Sequence, residues 1–233
     1  MIAENINILI DDIKETCLKC GRDPGEVRLI AVSKNTGLDL IRQARNAGLV
    51  MFGESRAQEL SEKASLLGPD FQWHFIGHLQ KNKAKFVVPV AEAIHSVDSE
   101  ELASEINKHA VKAGKIQNVL IEVKTSGEET KQGIEGYEKL MDLARFTADC
   151  TNLKLCGLMT IAPFTDDVQL VRKSFSELAH LKNQLNGQGF GLTELSMGMT
   201  GDYRIAIEEG ATMIRVGTAI FGQRDYSKSW KEQ

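Results

Sequence analysis

The sequence predicts a single (β/α)8 TIM-type barrel with an extra N-terminal helix. Three observations predict it. Short β-rich runs alternate with longer amphipathic segments almost from end to end of the 233 residues. The runs are near-continuously apolar, as strands buried on both faces by flanking helices are. Eight of them can be marked in the chain, a number that favours closure into a barrel over an open doubly wound sheet.

Taken in order, Ile2–Leu18 reads as an amphipathic helix ahead of the first strand, Val27–Lys34. Helical Asp39–Ala47 leads to strand Leu49–Glu54, and strands Gln72–Gly77 and Ala93–Val97 follow. Beyond these, helix Glu100–Ala113, strand Asn118–Val123, helix Tyr137–Cys150, strand Leu155–Thr160 and helix Asp167–Leu185 continue the alternation. Strand Glu194–Met197, helix Asp202–Glu209 and strand Met213–Ile220 complete it. Gly48, Gly114 and Gly210 fall where helix C-caps call for a residue without a Cβ. No low-complexity linker or break in composition divides the chain, so residues 1–233 are expected to form one domain.

Composition narrows the function classes. An apolar fraction of 42% and a charged fraction of 26% are ordinary for a globular protein. A formal charge of −4 gives no general attraction to nucleic acid or to anionic membranes. The cluster Lys81-Asn82-Lys83-Ala84-Lys85 is short and reads as a solvated helix face. No run reaches the roughly 18 apolar residues that a transmembrane helix needs. The acidic start, Met1-Ile2-Ala3-Glu4-Asn5, lacks the layout of a signal peptide, so a cytoplasmic location is expected. Cys17-x-x-Cys20 has the spacing of a metal or redox pair, but no second pair completes a tetrahedral set. Cys150 and Cys156 stand apart, and Cys156 sits in an apolar strand where a buried thiol is usual.

In a barrel of this kind chemistry belongs at the C-terminal ends of the strands, with phosphate bound after strands seven and eight. The sequence fills that layout. Arg28-Leu29-Ile30-Ala31-Val32-Ser33-Lys34 is an apolar run ending on a lysine, and an amine held partly out of water there can form a Schiff base. The same pattern also describes a solvated lysine just past a core strand. The loop Ser196-Met197-Gly198-Met199-Thr200-Gly201-Asp202 leads into a helix and can present free N–H groups to an anion; equally, Ser196 or Thr200 could simply cap that helix. Gly217-Thr218 can add a second set of N–H donors.

Several motifs in order carry a resemblance covering essentially the whole chain. They are Ala31-Val32-Ser33-Lys34, Phe52-Gly53-Glu54, Trp73-His74-Phe75-Ile76-Gly77, Leu79-Gln80, Asn82-Lys83 and Ser96-Val97-Asp98-Ser99, then Gly157-Leu158-Met159-Thr160, Leu195-Ser196-Met197-Gly198-Met199 and Val216-Gly217-Thr218-Ala219-Ile220-Phe221-Gly222. With these the chain closely resembles the pyridoxal phosphate homeostasis protein family, whose members have the barrel of the alanine racemase N-terminal domain and bind pyridoxal 5′-phosphate (PLP). The resemblance implies that Lys34 carries PLP as an internal aldimine. It implies that Ser196, Thr200, Gly217 and Thr218 hold the phosphate, that Arg215 faces the pyridine nitrogen, and that Met159 and Ile76 wall the ring. The chain departs from the family at Ser55, where Asn is common, which puts a polar contact near the ring in doubt. His78 is read as a loop residue without a ligand role.

The Arg215 expectation has chemical content. Arginine stays protonated and can only donate, so a ring nitrogen facing it stays neutral and makes a weaker electron sink than one paired with aspartate. That suits a racemase-like site or a carrier and argues against an aminotransferase. An ion pair of Arg215 with Glu54 or Glu122 is the structural alternative. Racemisation needs acid–base groups on both faces of the substrate adduct. Alanine racemases supply a tyrosine from a second domain across a dimer, for which a chain ending at Gln233 is expected to have no room. Tyr137, Tyr203 and Tyr226 do not fall at predicted strand tips.

The leading expectation is a non-catalytic PLP-binding protein that buffers or delivers the cofactor, with PLP-dependent apoenzymes as partners, and a monomer. The alternative is a PLP-dependent amino-acid racemase with a second base not identified in the sequence. A Schiff-base aldolase acting on a phosphosugar is a third reading, set aside by the whole-chain resemblance. Lys81, Lys83 and Lys85 are candidates for a transfer site only because they cluster.

Overall fold

The computed structural model describes residues 1–126, 132–223, 227 and 229–232; Tyr226 lies outside the described residues. The elements are α1 (Ile2–Lys19), β1 (Arg28–Val32), α2 (Leu38–Asn46), β2 (Met51–Glu54), α3 (Ala57–Leu67), β3 (Gln72–Phe75) and α4 (Ala84–Val87). Then come β4 (Ala91–Val97), α5 (Glu100–Lys112), β5 (Gln117–Glu122), α6 (Tyr137–Asp149), β6 (Leu153–Met159), α7 (Val168–Gly187), β7 (Glu194–Ser196), α8 (Tyr203–Glu208), β8 (Met213–Val216) and α9 (Thr218–Phe221). The strands run in sequence order around a closed barrel. It closes where β1 pairs in parallel with β8, Arg28 opposite Met213 through Ala31 opposite Val216.

Strand alternation sorts the side chains. Ala31, Phe52, Trp73, Phe75, Ile121, Leu158, Leu195 and Ile214 join the apolar stripes of the surrounding helices in one core. The intervening residues Ile30, Ala93, Leu120, Met159 and Met213 are buried but stand apart from that core; by alternation they fill the barrel interior. Against this apolar filling the interior also carries His74, His95, Ser196 and Arg215, all buried. Where β6 meets β7 the backbones are so close that a Cβ on Gly157 would lie 2.0 Å from the Glu194 carbonyl oxygen.

The barrel and its added N-terminal helix are as the sequence predicts, with one instructive difference. The run Met213–Ile220 does not continue as strand: β8 stops at Val216 and Thr218–Phe221 turns into α9. Gly217 makes the break (φ −120°, ψ −66°), so the chain turns at the barrel mouth rather than projecting beyond it. The helices Ala57–Leu67 and Ala84–Val87 lie outside the elements that the sequence predicts. Gly48, Gly114 and Gly210 do take positive φ (98°, 63° and 94°) just after helices. The N-terminal helix is fastened beside the mouth-forming end of the chain: Asp12 accepts from both Tyr203 Oη and Arg204, and Asn5 Nδ2 donates to Ile220 O at 3.0 Å. Among the described residues no helix is long and apolar enough to cross a membrane.

Candidate functional site at the C-terminal mouth

Lys34 stands half-buried in a turn immediately after β1. Pairing with β2 extends one residue past the strand, Ser33 N–H donating to Gly53 O at 2.9 Å. The next residue but one, Asn35, has φ 51°, a left-handed conformation that costs a non-glycine residue energy unless its surroundings impose it. Here they do. Asn35 N–H donates to Glu59 Oε1 at 2.6 Å, and Ser33 Oγ donates to Glu54 Oε1 at 2.6 Å. Lys63 Nζ donates to Ser33 O at 2.7 Å, to Glu54 Oε1 at 2.9 Å and to Glu59 Oε1 at 2.7 Å. Lys63 and Glu54 are fully buried. Burial pushes the Glu54 carboxyl up to about 7, with Lys63 opposing that shift. The Trp230 ring, 5.2 Å from Lys63 Nζ, covers this cluster from outside. Glu59 and Lys63 are not among the residues the sequence singles out; their only signal is an i,i+4 pairing on α3.

Arg215 leaves β8 into the barrel, 4% exposed. Its Nη1 donates to Ser196 Oγ at 2.6 Å and its Nη2 to Thr160 O at 2.9 Å. The guanidinium thus lies across the ends of β6 and β7, and burial lowers it to about 10, with Asp202 and Glu122 opposing. The alternative, an ion pair of Arg215 with Glu54 or Glu122, is not formed among the described residues; Glu54 is engaged by Lys63. Glu122 ends β5 and lines, with Ile76, Gly77 and Ile161, a cavity of about 330 Å³ at this mouth. Burial, then the Asp98 charge, raises its carboxyl to about 7. Met159 is fully buried and Ile76 half-buried. Gly77 is forced by proximity: a Cβ there would lie 2.4 Å from Ser55 O.

The loop after β7 lies beside the end of β8, joined by Arg215 N–H donating to Gly198 O at 2.9 Å. Gly198 has φ 92° and packs so tightly on α8 that a Cβ would stand 2.6 Å from Ala206 Cβ. In this loop Thr200 is exposed; after β8 Gly217 is buried and Thr218 exposed. Ser196, by contrast, is fully buried, and its hydroxyl lies between Arg215 and His95 Nδ1, the latter at 2.9 Å. Tyr203 is held on Asp12 of α1, and Tyr137 packs partly buried against the outer core. His78 is largely exposed, 3.7 Å from Asp98. Lys81, Lys83 and Lys85 sit on a short helical segment, Lys81 and Lys85 exposed.

A closed eight-stranded barrel with a lysine at the tip of β1 and an arginine on β8 defines the class: a barrel of the alanine racemase N-terminal-domain type. The family model for "Alanine racemase, N-terminal domain" matches residues 11–225. A protein of Aquifex aeolicus called pyridoxal phosphate homeostasis protein is 42% identical over 226 residues, covering 96% of this chain and 99% of that one. The solved structure of PipY from Synechococcus elongatus with PLP bound is 36% identical, with a TM-score of 0.84, and the match covers 95% of this chain and all 100% of that chain. Histidine racemase from Leuconostoc mesenteroides shares the fold at 18% identity and a TM-score of 0.74, over 95% of this chain and 57% of that one. The chain belongs to the pyridoxal phosphate homeostasis protein family.

Proposed function

We propose that this protein holds PLP at the C-terminal mouth of the barrel and serves intracellular PLP homeostasis as a carrier without turnover. The observation that carries the reading is the strand-end Lys34, on a turn fixed by buried partners, at the same end of the barrel as the Arg215 guanidinium and the loops that follow β7 and β8. PLP, when bound, supplies an aldehyde that reacts with amines and an electron-withdrawing pyridine ring.

The residues present suit the group. Lys34 supplies the amine for covalent attachment. Thr200, Gly217 and Thr218 offer hydroxyl and backbone N–H donors to the phosphate at adjacent strand ends. Arg215 has N–H groups beyond the two engaged on Ser196 and Thr160, and these face the pyridine nitrogen in this reading. Met159 and Ile76 line the ring. Ser196 enters as the residue that fixes Arg215 rather than as a phosphate ligand, because its hydroxyl is committed inside the barrel.

The carrier reading is supported by the position of Tyr203, whose hydroxyl is tied to α1, and by the name of the relatives. One observation favours the racemase alternative: Glu122, with a carboxyl near neutrality, lines the mouth and could accept a proton. The protein is proposed to be a monomer that passes PLP to apoenzymes.

The test is the visible spectrum of the protein with PLP, followed by borohydride reduction and peptide mapping. A band discharged by borohydride, with the label on Lys34 and lost in Lys34→Ala, is the expected result. No band, or label scattered over surface lysines, overturns the assignment. Solvent-deuterium incorporation at the α-carbon of amino acids, lost in Glu122→Gln, would instead establish the racemase.

A further inference from the structure

At the opposite, N-terminal mouth of the barrel lies a cavity of about 550 Å³, within the range of small-molecule sites. Its rim carries Arg28, Glu194, Lys154 and Glu92, and its lining includes His74 and Cys156. Arg28 is ion-paired with Glu194. One oxygen of Glu92 accepts from Asn118 Nδ2 at 3.0 Å.

His74 is 3% exposed, and among the described residues its Nε2 has no hydrogen-bond partner. What that nitrogen carries follows from the chain behind it. Arg215 can only donate, so Ser196 Oγ accepts from it. The Ser196 hydroxyl proton then goes to His95 Nδ1, its other neighbour at 2.9 Å. With Nδ1 accepting, His95 bears its proton on Nε2 and donates to His74 Nδ1, also at 2.9 Å. Both imidazoles are neutral, since burial lowers His74 to about 4 and His95 well below its ordinary value. His74 therefore bears its single proton on Nε2. The result is a buried N–H donor in the cavity lining with no protein acceptor among the described residues, open to an acceptor bound there.

We propose that this lower mouth is a second small-molecule site, for a zwitterion of amino-acid size. Its carboxylate would take the His74 N–H and the Lys154 ammonium, and its ammonium would face Glu92. The rim matches that occupant, since it holds cations and anions in equal number, Arg28 and Lys154 against Glu92 and Glu194. The four-group chain also joins this site to Arg215, so an acceptor placed on His74 polarises the bonds that hold the arginine. That second consequence rests on the proposed cofactor reading; the site itself does not.

Cys156 makes the site readable without cofactor, because its thiol is free, half-buried and in the lining. The experiment measures the alkylation rate of Cys156 by N-ethylmaleimide, resolved by peptide mass, on the PLP-free protein with L-alanine, acetate or ethylamine. L-Alanine is expected to slow alkylation at least fivefold, with the two half-molecules far weaker, and Lys154→Met at the exposed rim to lose the protection. No protection by L-alanine, equal protection by acetate, or protection unchanged in Lys154→Met overturns the proposal. For the coupling, borohydride-reduced PLP–protein, which cannot exchange its cofactor with amino acids, is titrated with L-alanine while pyridoxyl emission is followed. A shift in emission that tracks Cys156 protection is expected, and a constant emission overturns the coupling. A protein that takes up no PLP would still report the lower site through Cys156.

Discussion

Lys63 Nζ donates to the carbonyl oxygen of Ser33 at 2.7 Å, one residue before Lys34, while bridging Glu54 and Glu59. The amine expected to do chemistry therefore sits on a turn supported by a second lysine that never reaches solvent. Glu59 takes the Asn35 N–H and Glu54 the Ser33 hydroxyl, so both residues flanking Lys34 are fixed.

Replacing Lys63 by Met should leave two carboxylates facing each other in a dry space. Removing one partner of a buried ionic group costs about 3–5 kcal/mol. We expect Lys63→Met to lose that much in urea unfolding and, in whatever fraction folds, to load PLP less completely. Unchanged stability and loading would show that the cluster does not support the turn.

Gly157→Ala should be among the most damaging small substitutions. The added methyl meets the Glu194 backbone at 2.0 Å, and neither strand can withdraw without opening the barrel. A loss of about 3 kcal/mol or more is expected, in the upper tail for point mutants. Gly48→Ala is the contrast: nothing lies within 4 Å of its Cβ, so only its φ of 98° opposes the change and the loss should be near 1 kcal/mol.

Ser196→Ala tests the arginine. It removes the acceptor of Arg215 Nη1 and the neighbour of His95 Nδ1, leaving two buried polar atoms unpaired. We expect PLP to bind about tenfold more weakly, about 1.4 kcal/mol, with an altered absorption maximum while Lys34 remains the labelled residue. A weakening with the spectrum unchanged would place Ser196 at the phosphate instead.

Buried groups of opposite behaviour should shape the pH profile of the cofactor-free protein. Glu122 is raised to about 7 from 4.5, so the folded state holds its proton through a range in which the unfolded chain has released it. Its contribution is present below about 4.5 and lost as pH rises through about 7. His74 is lowered to about 4 from 6.5, so the unfolded chain takes up a proton first and stability is lost as pH falls below 6.5. In this window the two slopes oppose each other. Glu122→Gln should therefore match the parent near pH 5 and exceed it by pH 8, by up to about 3 kcal/mol. Thermal unfolding of both proteins from pH 5 to 8 decides it, and a constant gap would refute the assignment.

The position of the candidate site's Lys34 and Arg215 along the barrel was legible in the sequence because it depends on order along the chain. Lys34 at the end of an apolar run and Arg215 in the last one are placed by strand alternation and barrel closure alone. The sequence predicts strand as far as Ile220 because Thr218-Ala219-Ile220 continues the apolar run; only the geometry at Gly217 turns that segment into α9. Lys63 falls outside every element the sequence predicts, and its burial depends on α3 lying over β2 with Trp230 arriving from the far end of the chain.

By itself the sequence determined the barrel and its one-way strand order, because hydrophobic period and glycine placement are local properties. Tertiary structure decided which polar groups meet. His74, His95, Ser196 and Arg215 come from four different strands, and their hydrogen-bonded line through the barrel exists only once β8 pairs with β1 and brings all the strands into register. Long-range partners of that kind carry no local signature, since each is a polar residue in an apolar run until closure removes the water around it.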